Sequence, residues 1–137
     1  MTNDDDQNPQ GQTPLEVPPR RLEISADLAS ARNEQAHFSF MAAAEFDDFL
    51  REALNEFEED MAVIEAAGKA VSDKLFAVHR LKGGLYTARL AEMGDLAKQI
   101  EAELKEVRAM GGRLSSGGGS AVAELQRRLD RLRQSLG

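Results

Sequence analysis

From residue 40 onward apolar side chains recur at steps of three and four, the spacing that collects them on one face of an α-helix. Phe46, Leu50, Ala53, Phe57, Met61 and Ile64 make a first stripe, widened by Phe49 and Leu54, and Gly68 marks its expected end. A second stripe runs through Val71, Leu75, Val78, Leu81 and Leu85, and Ser72 or the Ala67-Gly68 turn is expected to open that helix. Leu90, Met93, Ala97, Ile100, Leu104 and Val107 form a third, and Val122, Leu125, Leu129, Leu132 and Leu136 a fourth. The last two alternate threes and fours, as does the seam of helices packed nearly antiparallel in a left-handed bundle. The pattern predicts an all-α fold: an antiparallel up-down four-helix bundle over residues 39–137.

Outside the stripes the pattern lapses. Residues 1–20 hold Asp4-Asp5-Asp6, Pro9, Pro14 and Pro18-Pro19 and have too few apolar side chains to offset the entropy of ordering, so a disordered tail is expected. Residues 21–38 carry Leu22, Ile24, Leu28 and Ala31, enough for a short extra helix docked on the bundle. Gly111 to Ser120 is rich in Gly and Ser and reads as a flexible loop, with Ser120 the expected N-cap of the last helix. Those glycines are not a phosphate loop, because Ser120-Ala121 stands where Lys-Ser or Lys-Thr would be needed.

Composition narrows the function. With 137 residues and no internal repeat the chain suits one domain, and with no cysteine it forms neither a disulfide nor a thiolate metal site. A net charge of −7 argues against a nucleic-acid partner. No run approaches the roughly eighteen apolar residues of a membrane span, nor does the polar start resemble a secretion signal, so a cytoplasmic protein is expected. Residues 45–65 are strongly acidic, with Arg51 their only basic side chain, whereas Lys74, Arg80, Lys82 and Arg89 surround His79 with Asp73 as the one acid nearby. A locally positive field at His79 is the expectation.

His79 is also the candidate for chemistry. It lies about 110° from the centre of its helix's core stripe, on the exposed flank of the bundle, with Tyr86 close beside it. Lys82 and Gly83 are its neighbours on the helix surface, at i+3 and i+4. A neutral imidazole is a nucleophile, a lysine one turn on can offset the charge of a phosphoryl group, and a glycine leaves room for a second protein. Gly83-Gly84 inside a helix costs roughly 1 kcal/mol per residue relative to Ala, which asks for a reason such as close approach of a partner.

The run His79, Arg80, Leu81, Lys82, Gly83, Gly84 resembles the phosphorylation motif of the histidine phosphotransfer (HPt) family: His, any residue, Leu, Lys, Gly, then a small residue. The resemblance covers about residues 40 to 137 and continues through Met93, Leu96, Ile100 and Glu101, where the family has apolar residues and a final Leu-Glu pair. The family often has Gly ten residues after the histidine; here Arg89 stands there. The resemblance implies a stand-alone phosphoryl carrier with no ATP-dependent kinase activity, relaying phosphate between aspartates of receiver domains through Nε2 of His79, with Lys82 compensating charge. It further implies receiver domains and a hybrid sensor histidine kinase as partners, Mg²⁺ supplied by the receiver and no cofactor or metal of its own, a monomer, and a docking face of Phe76, Arg80, Gly83, Gly84 and Tyr86. As an exposed docking residue, Arg80 should matter little to stability.

Two other histidine-bearing helical folds fit the residues less well. A sensor-kinase dimerisation domain usually has an acidic residue directly after the histidine and a proline four beyond it, where Arg80 and Gly84 stand. A di-iron bundle wants two Glu-x-x-His pairs, and only Glu34-Gln35-Ala36-His37 fits, since Phe76 precedes His79 at that spacing. The alternative of substance is a non-catalytic helical adaptor, which would need no reactive His79.

Overall fold

The computed structural model describes residues 24–38, 41–111 and 119–137. The expected tail, Leu22 and most of the expected Gly-Ser loop lie outside them. Among the described residues there are five helices and no strand: α1 (Ala26–Phe38), α2 (Ala43–Glu65), α3 (Val71–Thr87), α4 (Ala91–Ala109) and α5 (Gly119–Leu136). The chain is all-helical, and none of these helices is long and apolar enough to cross a membrane.

Four of the helices close a ring, with α2 on α3, α3 on α4, α4 on α5 and α5 back on α2. The stripes read from the sequence face inward: Leu50, Leu54 and Met61 meet Val78, Leu81 and Leu85, Met93 and Ile100, and Leu125, Leu129 and Leu132, each essentially inaccessible to solvent. Each such side chain contributes about 1.5–3 kcal/mol of burial. The edges of the stripes, Ala53, Val71, Leu104 and Val122, are only partly covered.

Helix α1 docks outside this ring against α2 and α5. Only Leu28 and Ala31 insert, while Ile24 stays half exposed. Polar contacts supply the rest. Ser25 caps the helix, its Oγ accepting from the Leu28 amide at 3.2 Å, and its own amide donates to Ser135 Oγ at 2.9 Å. Arg32 grips Asp47 of α2 with two nitrogens, at 2.7 and 3.1 Å, and Arg128 of α5 reaches Asp27 at 3.1 Å.

The helix ends differ from expectation. Helix α2 stops at Glu65, short of Gly68, and α3 starts at Val71 behind Ala70 with no side-chain cap, so Ser72 is not the cap. Ser120 likewise lies within α5. At the end of α3 the Leu90 amide bonds back to the Leu85 carbonyl at 2.9 Å around Arg89, whose φ is +68°. That is a Schellman turn with arginine where glycine is easiest. Leu90, at the far side of the turn, is buried.

Candidate functional site

Helix α3 presents consecutive residues to two different seams, since each step rotates the side chain by about 100°. His79 faces α4 and Arg80 faces α2. Each meets a carboxylate that its neighbouring helix has buried.

On the α4 side, Glu101 follows the core residue Ile100 and is itself buried, its side chain 10% exposed. Its two oxygens take different donors: Oε2 lies 3.1 Å from His79 Nδ1, and Oε1 accepts from Lys82 Nζ at 2.6 Å. Burial by itself would raise the Glu101 carboxyl, but the hydrogen bonds from Lys82 and His79, with the charges of Lys82 and Lys105, outweigh it and hold the group below its usual range. Glu101 is therefore an anion, and an anion only accepts, so the imidazole bonds it through Nδ1–H. In the neutral ring the lone pair then sits on Nε2. The His79 side chain is 72% exposed, so the flank position expected of it is observed.

On the α2 side, Asp60 is 2% exposed and is met by Arg80, whose Nε donates to Oδ1 at 3.1 Å while a terminal nitrogen contacts the same oxygen. Asp60 is the first cause, ahead of Glu56 and Glu59, that raises the Arg80 guanidinium above its ordinary value. The guanidinium carbon also sits 5.4 Å from the centroid of the Phe76 ring, which is 68% exposed. Two expectations change. Arg80 is exposed yet it balances a buried carboxylate, so it is not indifferent to stability. The positive field around His79 is also weaker than the local sequence suggests, because Arg80 and Lys82 are each paired across the bundle.

The glycines of the motif separate. A Cβ on Gly83 would meet nothing within 4 Å, whereas one on Gly84 would come 2.8 Å from the Phe57 ring, so Gly84 has an internal packing reason. Tyr86 lies partly exposed with its hydroxyl donating to Asp95 Oδ1 at 2.5 Å, the main cause of its raised pKa, and its ring covers Gly94. Gly83, Arg80 and Phe76 thus line one side of His79, and Tyr86 is bound to α4 on the other.

Sequence reasoning gave Glu101 no role and overlooked Asp60. A signal for the first existed: two donors one turn apart on α3 need an acceptor, and Glu101 flanks a core isoleucine on the next helix. Asp60 carries no such mark. Among the described residues no group of three or more His, Asp or Glu side chains is arranged to hold a metal. The family model described as Hpt domain matches residues 44–135, which takes in α2 to α5 and leaves α1 outside. No curated protein and no solved structure matches the chain.

Proposed function

The chain belongs to the Hpt domain family of two-component phosphotransfer, and on that premise we propose that it relays phosphate between aspartates of receiver domains through His79. The pairing of His79 Nδ1 with Glu101 beside an exposed ring carries this reading. Nε2 attacks the phosphorus of a receiver's aspartyl phosphate; the N–P bond forms as the P–O bond breaks, and the aspartate leaves as a carboxylate. The ring keeps its Nδ1 proton and becomes cationic, and the buried Glu101 carboxylate stabilises that charge as it develops. Glu101 thus positions the nucleophile, and Lys82 is held by it at the edge of the site where the phosphoryl group arrives.

In this reading the receiver supplies the phospho-accepting aspartate and its Mg²⁺, and a hybrid sensor histidine kinase supplies phosphate upstream. The short connections after α2 and α3 support an antiparallel, up-down arrangement of the four ring helices. That arrangement leaves the α2–α3 side of His79 open for a docking monomer-to-monomer encounter.

The test is transfer from a receiver domain charged with labelled phosphate in the presence of Mg²⁺. Acid-labile, base-stable label should appear on the parent chain and on His37→Gln and be lost in His79→Gln, with helix content unchanged. Label retained by His79→Gln would overturn the assignment.

A further inference from the structure

One turn along α3 from His79, on the α2 side, Gly83 opens a groove of about 270 Å³. Gly83 lowers its α3 wall, and Gly84 seats the Phe57 ring as its floor. Across from them stand Ala53 and Phe49, the latter 37% exposed and held by stacking on Phe46 at 6.2 Å between ring centroids. The apolar wall is therefore packed from behind and reachable from solvent. Its rim is acidic, because Glu52 and Glu56 project along it one turn apart, both exposed. Glu59, also exposed, extends the row. Arg80, which feels Glu56 and Glu59, is paired first with the buried Asp60, so one cation faces one buried and several exposed acids. The net field over the groove is thus negative, opposite to what the residues adjacent to His79 in sequence suggest.

We propose that this groove is a partner-selecting site that takes receiver domains bearing an apolar side chain flanked by Lys or Arg near the phospho-accepting aspartate. The proposal rests on the phosphotransfer reading and deepens it by naming the partner's surface chemistry. The floor supplies burial, which does not discriminate among receivers, and the carboxylate rim supplies discrimination, since a like charge opposed across an interface is costly and an opposite one speeds encounter. Gly83 matters here as open wall: a side chain at that position would occupy the groove mouth about 6 Å from His79 along the helix.

The experiment uses the full chain and two receiver domains charged with acetyl phosphate, one with a basic and one with an acidic surface around its aspartate. The parent should accept phosphate from the basic-surface receiver with the higher kcat/KM, the difference residing in KM and shrinking as salt rises. The double variant Glu52→Lys/Glu56→Lys should shift that preference toward the acidic-surface receiver by about tenfold, and Glu34→Lys/Asp130→Lys, an equal charge change on α1 and α5, should not. An unchanged preference in the rim variant, or an equal shift in the remote one, overturns the groove proposal while transfer to His79 stands. Absence of transfer to the parent from both receivers overturns the groove proposal together with the reading beneath it.

Discussion

The two sides of α3 use the same device for different ends. On each, a neighbouring helix buries a carboxylate and α3 answers with cations. Asp60 meets Arg80 through a single oxygen, so the buried charge has a cation against it. Glu101 divides its oxygens between Lys82 and His79. The first arrangement fixes a side chain in place, and the second also fixes which nitrogen of an exposed ring carries the proton. Reactivity at this helix therefore comes from who shares the buried acid. A buried acid alone does not supply it.

Removing each acid in turn should separate the two sides of α3 most sharply. Glu101→Ala should slow phosphoryl acceptance at least about 10- to 100-fold, the range seen when the partner of a metal-bound imidazole is lost, with Glu101→Gln in between. Asp60→Asn should leave the rate of the chemical step unchanged, as read by single-turnover transfer at saturating receiver. Equal losses from the two would show that the sides are not functionally distinct. Acid titration sharpens the same point. The folded Glu101 carboxyl sits below the usual 4.5, so its share of stability is present above the unfolded value and is lost as pH falls through the folded one. Glu101→Gln should flatten that part of a stability-versus-pH curve.

Arg80 supplies the next largest effect. Arg80→Ala leaves Asp60 buried without its cation, and Arg80→Glu sets a second acid beside it, so the alanine variant should melt roughly 5–10 °C lower and the glutamate variant lower still. Lys82→Ala should cost less, because His79 still serves Glu101. A thermal melt in which Arg80→Ala matches the parent would remove the structural half of the comparison.

The adjacent glycines give a smaller contrast of the same kind. Gly84→Ala drives a methyl into the Phe57 ring and should destabilise by about 1–3 kcal/mol, whereas Gly83→Ala meets open space and should stabilise by up to about 1 kcal/mol. Smallest of all, Arg89→Gly should relieve the left-handed backbone at φ +68°, with a net gain below about 1 kcal/mol after the added freedom of the unfolded chain is counted. Chemical denaturation resolves each of these.

Much of this arrangement was legible in the residue pattern. The stripes of α2 to α5 follow from periodicity because burial of Leu, Met and Ile repeats with the turn of the helix, and the exposed flank of His79 follows from the same geometry. Helix ends were less so. Ser72 and Ser120 invited capping assignments, but the ends are set by backbone bonds and by neighbours such as Leu90, which propensity does not register. Asp60 was invisible for a related reason: it lies beside Phe57 and Met61 in the stripe, and only Arg80, 20 residues away, makes its burial tolerable. The charge around His79 was misread locally because its balancing acids come from other helices. Nor can two consecutive glycines be told apart until the Phe57 ring is placed against one of them.

Glu101, on this reading, holds the His79 proton on Nδ1 and leaves Nε2 to carry phosphate. Long-range ¹H–¹⁵N spectra of the full chain, with the ring assigned through His79→Gln and recorded at alkaline pH and again after phosphorylation, read both nitrogens. The resting ring should be neutral and protonated at Nδ1, the phosphorylated one should show ³¹P coupling at Nε2, and the Nδ1 preference should weaken in Glu101→Ala. A resting ring protonated at Nε2, or phosphorus attached to Nδ1, would contradict it.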